Sequence, residues 1–416
     1  MTHQGNLAAT DGSRRARYRT ATAGLLLLGL AAAGLGGATA QATSASPRRG
    51  SVVSYAKVAH LSLSQARAYL HAAGYDSPTA RRGVTIYRII YRTISSQGKP
   101  DTASGVLALP ADSRRRLPTV VFEHGTMAAK ADAASVAPGS RAEVILLAGA
   151  GYAAVEPDYL GLGRGPGHHP YLEPASEATA SVDMLRAARV VAARVHRQLE
   201  SKILVTGFSQ GGQAALAFAH ALQHGVGSHL RLGAVAGISG PYDVQHAELP
   251  AALDGTLNPK LAAFYVAYWV TAMNRFHHLY ANPSQAFRDP YDKTMPTLFD
   301  GLHSDQSIFA ALPDSPRQLL TRRFLARLTH PSGEIRRLIR SDDTTCTSWV
   351  PRAPVRLYAA HADTQVAFLN AVYCQRALDV SGLRVPLINV GNVDHFPSER
   401  IALPRVVRWF EKLQPA

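Results

Sequence analysis

The pentapeptide Gly207-Phe208-Ser209-Gln210-Gly211 constrains this chain more than any other stretch. It follows an apolar run, Lys202-Ile203-Leu204-Val205-Thr206, and precedes a helix-forming run, Gly212-Gln213-Ala214-Ala215-Leu216-Ala217-Phe218-Ala219. A strand that enters a helix through one serine needs a turn with almost no room beside it. Glycines two positions before and after the serine supply that room and accept backbone angles closed to other residues. The turn lifts Oγ clear of the strand ends and sets it at a helix N-terminus, whose dipole favours developing negative charge. With 33 glycines in 416 residues the pattern also arises by chance, so its weight comes from the flanking strand and helix.

The surrounding sequence alternates strand and helix patterns. Residues 84–93 and 105–109 read as a strand pair, and 118–123 as a buried strand running into His124-Gly125-Thr126. A helix at 143–150, a strand at 152–155 and a long amphipathic helix at 176–196 lead to the elbow. Beyond it, 232–238, 355–360 and 385–390 read as strands, and 365–378 and 404–413 as helices. This alternation predicts an α/β fold with a mainly parallel central sheet and helices on both faces. From 243 to 345 there is no strand pattern, only helix-like stretches such as 261–270 and 318–328 between Pro-bounded loops. A hundred residues is too long for a loop. The segment is therefore read as an inserted helical cap over the carboxyl ends of the strands, where open α/β sheets bind ligands. Its aromatics Phe264, Tyr265, Tyr268, Trp269 and Phe276 either line an acyl pocket or form the cap's own core; Tyr268 and Trp269 are the substrate-binding candidates.

The expected organisation is a signal peptide at 1–40, an N-terminal arm and short helix at 41–83, core at 84–242, cap at 243–345 and core at 346–416. Ser13-Arg14-Arg15-Ala16-Arg17 forms a charged n-region, an Ala/Gly/Leu run follows, and Ala38-Thr39-Ala40 supplies a small-x-small cleavage site. The arginine pair permits twin-arginine export, although Ala16-Arg17 fits poorly after it, so the route stays open. A Gly-rich apolar stretch ending in a cleavage site argues against a retained membrane anchor, and no cysteine follows for lipidation. Secretion is the expectation, with no stable membrane span after cleavage. Residues 41–55, rich in Ala, Ser, Thr and Arg, read as a mobile mature N-terminus. Export makes a disulfide the default for the two cysteines, Cys346 and Cys374, against two buried thiols. The net charge of +15 is carried by dispersed arginines without any basic-aromatic recognition module, so no nucleic-acid partner is expected.

A nucleophilic serine needs a histidine base and an acid that orients it, here in chain order serine, acid, histidine. Asp363 lies just after the 355–360 strand and His395 just after the 385–390 strand, both at strand carboxyl ends. Asp394 competes as the acid, but beside His395 its side chain would have to curl back to reach Nδ1. His361 reads as structural. The oxyanion requires two backbone N–H donors. Gln210 directly after the nucleophile supplies one, and Thr126, in preference to Gly125, the other. No cofactor or metal enters this chemistry. A small-molecule or lipid ester is the expected substrate, and a peptide bond or acyl transfer to an alcohol is the alternative. Glu173 and Glu177 are acidic residues that could anchor a free amino terminus, and they are not diagnostic.

With these residues in place, the chain resembles the secretory lipases, the lipase A-like group of the α/β-hydrolase superfamily. The matching stretches are Glu123-His124-Gly125-Thr126, Glu156-Pro157-Asp158-Tyr159-Leu160-Gly161-Leu162-Gly163, His169-Pro170-Tyr171-Leu172, the elbow, and the Asp363 and His395 loops. The resemblance implies an α/β-hydrolase fold, carboxylic-ester hydrolysis without metal, a helical cap after the sixth predicted strand, and a Ser209, Asp363, His395 triad. Asp158 and Tyr159 are expected to brace a loop near the site. The cap carries no motif of the family, so acyl preference does not follow.

Overall fold

The computed structural model describes residues 48–226, 229–379 and 384–416. The expected signal peptide and its cleavage site lie outside them. Nine strands form one sheet: β1 (Val52–Leu61), β2 (Val84–Ile94), β3 (Pro100–Pro110), β4 (Arg116–Glu123), β5 (Ala153–Pro157), β6 (Gln198–Phe208), β7 (Arg231–Ile238), β8 (Val355–Ala359) and β9 (Leu387–Asn389). Their order is β1-β2-β3-β5-β4-β6-β7-β8-β9. The pairings from β1 to β3 and from β3 to β5 are antiparallel, and every pairing from β5 to β9 is parallel. The mainly parallel sheet with covering helices is the α/β architecture expected from the alternation, and it agrees with the α/β-hydrolase fold that the resemblance implies.

The helices of the α/β part are α1 (Leu63–Ala72), α2 (Ala142–Ala150), α3 (Pro174–Arg194) and α4 (Gln210–Gln223). Between β7 and β8 stand α5 (Leu249–Asp254), α6 (Pro259–His277), α7 (Tyr291–Leu298), α8 (Asp305–Ala311), α9 (Pro316–Leu319), α10 (Arg322–Thr329) and α11 (Gly333–Thr347). After β8 come α12 (Leu369–Asp379) and α13 (His395–Leu413).

Side chains of the central strands divide by period two between two layers. On β6, Ile203 and Val205 pack with α3, α4 and α12, while Leu204 and Phe208 pack with α1, α2 and α13. β4 does the same, with Leu117 and Val121 on the first face and Val120 and Phe122 on the second. Burial on both faces explains why these strands read as continuous apolar runs. The inserted helices close around a core of their own, which includes Phe264, Tyr268, Phe287 and Phe324.

Three local expectations are corrected. Residues 52–55 are not mobile: they begin edge strand β1, which pairs with β2. Most of β1 is exposed, so no alternation marked it. The 318–328 helix is two helices, because the Thr321 side chain accepts from Phe324 N and opens a new N-terminus there. The last helix begins at His395 rather than near 404. Asp394 caps it, and Pro404, read as its start, lies inside it. Cys346 and Cys374 are bridged, with Cα atoms 5.2 Å apart, and this ties α11 to α12.

Candidate active site

β6 delivers Ser209 at the turn into α4 with φ 57° and ψ −124°. A Cβ on Gly207 would lie 2.1 Å from the Gly211 carbonyl oxygen, and one on Gly211 would lie 1.9 Å from that of Glu123. No side chain fits at either position. Ser209 N donates to Ile238 O at 2.9 Å and Gly212 N to Ser209 O at 2.8 Å, so hydrogen bonds at both ends hold the strained residue.

β8 and β9 bring the other two residues together. His395 Nδ1 stands 2.7 Å from Asp363 Oδ2, with side chains 1% and 2% exposed. The second Asp363 oxygen accepts from Gln365 N at 2.9 Å and Val366 N at 3.0 Å. In the tautomer whose Nδ1–H donates to the carboxylate, Nε2 is the accepting nitrogen, and that atom has no hydrogen-bond partner among the described residues. Its ring packs against Phe208, centroids 4.5 Å apart. Ser209 and His395 line one cavity of about 390 Å³ with Gly125 and Thr126. Asp394 does not face the Nδ1 atom. Its Oδ1 accepts from Thr364 N, Thr364 Oγ1 and His395 N at 2.8–2.9 Å, which clasps the Asp363 loop to the start of α13. His361 stacks on Phe368 at 3.9 Å.

Gln210 opens α4, where backbone N–H groups have no intrahelical acceptors. Its side chain is held beneath the turn: Nε2 donates to Glu177 Oε1 at 2.6 Å and to His169 Nε2 at 2.9 Å. His169 Nδ1 in turn donates to Leu160 O at 2.9 Å, which fixes the tautomer that accepts from Gln210. Burial pushes His169 down to about 3 and Glu177 up to about 8. The neighbouring Glu123, which accepts from Ser181 Oγ, is likewise raised by burial to about 8. Glu173 bonds His277 instead, and neither Glu173 nor Glu177 lines the catalytic cavity. His169 and Glu177 were legible only as part of a motif and as an unplaced acid.

The Thr126 loop is pinned from the insertion. Thr126 Oγ1 bonds Tyr171 OH at 3.0 Å, Tyr171 stacks on Tyr268 at 4.2 Å, and Tyr268 OH donates to Met127 O at 3.1 Å. Tyr268 is sandwiched between Tyr171 and Phe299 and lines neither the catalytic cavity nor the apolar slot beside it. Of the two candidates, Tyr268 takes the alternative role in the cap's own core, where packing turns it inward to brace the loop. Trp269 does line that apolar slot, of about 70 Å³, with its Nε1 bonded to Asp342. Tyr265 lines both spaces and separates them, its hydroxyl donating to Gln365 Oε1 at 2.6 Å. Asp158 braces from below, accepting from Ser104 Oγ at 2.5 Å. Away from this cavity, Asp243, His246 and Asp343 each place a ligand atom within 4.8 Å of the others. His246 Nδ1 already bonds Asp243, and Asp343 accepts from Val244 N.

A family model for secretory lipases matches residues 129–413, which include the elbow, Asp363 and His395. The chain belongs to the secretory lipase family. Among solved structures, the rice cell wall degrading esterase LipA from Xanthomonas oryzae is similar, with a TM-score of 0.77 and 28% identity over 88% of this chain and 98% of that one. Lipase A of Candida antarctica shares the fold at a TM-score of 0.59 and 15% identity, over 84% of this chain and 78% of that one. No curated protein matches the chain by sequence. Family membership and the esterase neighbour make this secretory lipase a carboxylic ester hydrolase. No helix among the described residues is long and apolar enough to cross a membrane.

Proposed function

We propose that this secretory lipase works outside the cytoplasm and cleaves esters through a Ser209, His395, Asp363 triad and an acyl-enzyme. The buried 2.7 Å contact between His395 and Asp363, with Nε2 free on the wall of the Ser209 cavity, carries the reading. His395 Nε2 takes the Ser209 proton as Oγ attacks the ester carbonyl. The oxyanion is met by the Gln210 and Thr126 amides, the first at a helix N-terminus. Asp363 stabilises the imidazolium cation, which then protonates the departing alkoxide; water repeats the sequence to release the acid. The acyl chain passes Tyr265 into the apolar slot beside Trp269. The disulfide and the N-terminal 1–40 sequence support export.

A fluorophosphonate is expected to label Ser209 alone, read by peptide mapping, and Ser209→Ala to lose about 10⁴-fold or more of its ester turnover while keeping its melting temperature. Label on another serine refutes the assignment. In kcat/KM, p-nitrophenyl acyl esters are expected to exceed amino-acid p-nitroanilides by at least ~100-fold, about 2.7 kcal/mol of discrimination. Anilide cleavage with negligible ester turnover would transfer the protein to the peptidase alternative.

A further inference from the structure

The catalytic cavity continues past His395 into a part of the wall that the ester chemistry does not use. Tyr75, Glu143, Glu156 and Glu399 line it. The three glutamates come from α2, β5 and α13. Glu399 lies one turn beyond His395 on the same face of α13, which makes this region continuous with the triad.

The three carboxyl groups share few partners, Tyr75 serving both Glu143 and Glu399. Tyr75 OH donates to Glu143 Oε1 at 2.7 Å. Glu156 is 1% exposed, yet its Oε2 has no hydrogen-bond partner among the described residues. Among the described residues none of the three enters a salt bridge, although the chain holds 44 lysines and arginines against 29 acidic residues. Two arginines are near. Arg141 turns its Nε to Ala134 O at 2.8 Å, and Arg400, exposed on the cavity rim, favours the ionised forms of Glu143 and Glu399 only from a distance and without a salt bridge. When these carboxyls ionise they accept hydrogen bonds and cannot donate them, so an ionised wall would have more acceptors than the protein supplies donors for. Burial and mutual repulsion push Glu156 and Glu399 well above the usual carboxylate range, which holds them protonated in the empty cavity, and an entering cation favours their ionised form. A primary ammonium supplies both missing things, three N–H donors and one positive charge.

We propose that this acidic arm recognises an ammonium group on the alcohol part of the ester. The arm lies on the His395 side, where the leaving oxygen must sit to receive its proton, whereas the apolar slot behind Tyr265 lies on the other side of that residue and takes the acyl chain. The proposal rests on the esterase reading and assigns its leaving-group preference.

The test compares 5-aminopentyl butyrate with hexyl butyrate, which differ by NH₃⁺ for CH₃ at the alcohol terminus, with p-nitrophenyl butyrate as a general ester probe. Wild type is expected to prefer the aminopentyl ester at least tenfold in kcat/KM. Glu156→Gln and Glu399→Gln should each reduce that ratio at least fivefold. Because both esters are measured on the same protein, the ratio is independent of how much active enzyme each variant yields. A wild-type ratio of one or below, with p-nitrophenyl butyrate turned over, overturns the acidic arm and leaves the esterase reading intact. A tenfold preference that survives both substitutions also overturns it. Absence of all ester turnover takes the proposal down with the proposed function.

Discussion

Asp363→Asn tests the triad at its most specific contact. In the native site one carboxylate oxygen accepts from Gln365 N and Val366 N, and the other faces His395 Nδ1. An asparagine has one oxygen for these two tasks. If that oxygen keeps the two backbone amides, its NH₂ group faces Nδ1, which must then be unprotonated. The proton moves to Nε2, and the ring can no longer accept from Ser209. If the side chain flips, two backbone N–H groups face an NH₂ and lose about 1 kcal/mol or more each. The wrong tautomer is therefore favoured by about 2–4 kcal/mol. The amide also cannot offset the imidazolium charge. Together these predict a fall in kcat of about 10²–10⁴-fold, or about 2.7–5.4 kcal/mol. The assay is kcat on p-nitrophenyl butyrate, with a melting curve to show that the fold persists. Asp394→Asn should cost less than tenfold, because the three contacts of Asp394 converge on one oxygen that asparagine keeps. A larger loss from Asp394→Asn, or a loss below tenfold from Asp363→Asn, refutes the reasoning.

Stability should fall as pH rises from about 4.5 to 8, because Glu123, Glu177 and Glu248 are held protonated by burial up to about 8 in the native state and release their protons near 4.5 when unfolded. Each contributes a slope of about 1.4 kcal/mol per pH unit, and His169, kept neutral down to about 3, opposes them only below about 6.5. Glu177→Gln keeps the bond to Gln210 and removes one of these slopes, so its melting temperature should fall less between pH 5 and 8 than that of wild type; parallel curves would contradict this. Trp269→Ala should shift the acyl-length optimum of p-nitrophenyl esters, whereas Tyr268→Phe, which loses only the Met127 bond, should lower kcat at unchanged optimum; a shifted optimum in Tyr268→Phe would return that residue to the pocket. Replacing both cysteines by serine should lower stability in denaturant melts by about 3–4 kcal/mol, from the closed loop of 28 residues, and non-reducing mass mapping of exported protein should find the bridge.

The features that were legible in the sequence are those fixed by steric exclusion or by strand ends. Gly207 and Gly211 were legible because no Cβ fits, and the elbow strand because burial on both faces leaves an unbroken apolar run. Asp363 and His395 were found from their positions after strands. β1 was missed because an exposed edge strand has no burial pattern to print on its sequence. The start of α13 was missed because Pro404 imitates a first-turn proline. It is tolerated inside the helix because the carbonyl it leaves without a donor belongs to exposed Arg400. In α6, Tyr265, Tyr268 and Trp269 share a face by spacing, so sequence marks all three as buried. Only the packing of Tyr171 and Phe299 around Tyr268 decides which of them meets the cavities.

The carboxyl groups around the site divide by the donors their surroundings supply. Asp363 sits where two backbone N–H groups and one imidazole N–H converge, a set that suits a carboxylate. Glu177 sits beneath the elbow with one amide donor and a second oxygen that bonds nothing, a set that suits a protonated acid. Both arrangements serve the same end. In the proposed mechanism the first holds the base in the tautomer that accepts a proton from Ser209; the second holds Gln210, and with it the first turn of α4, without placing a negative charge beneath the developing oxyanion. An ionised Glu177 would oppose that oxyanion from the helix side, so the burial that raises its pKa also protects the transition state. Glu156 lacks the converging backbone donors of Asp363 and shares with Glu177 an oxygen without a partner, but it lines the cavity and Glu177 does not.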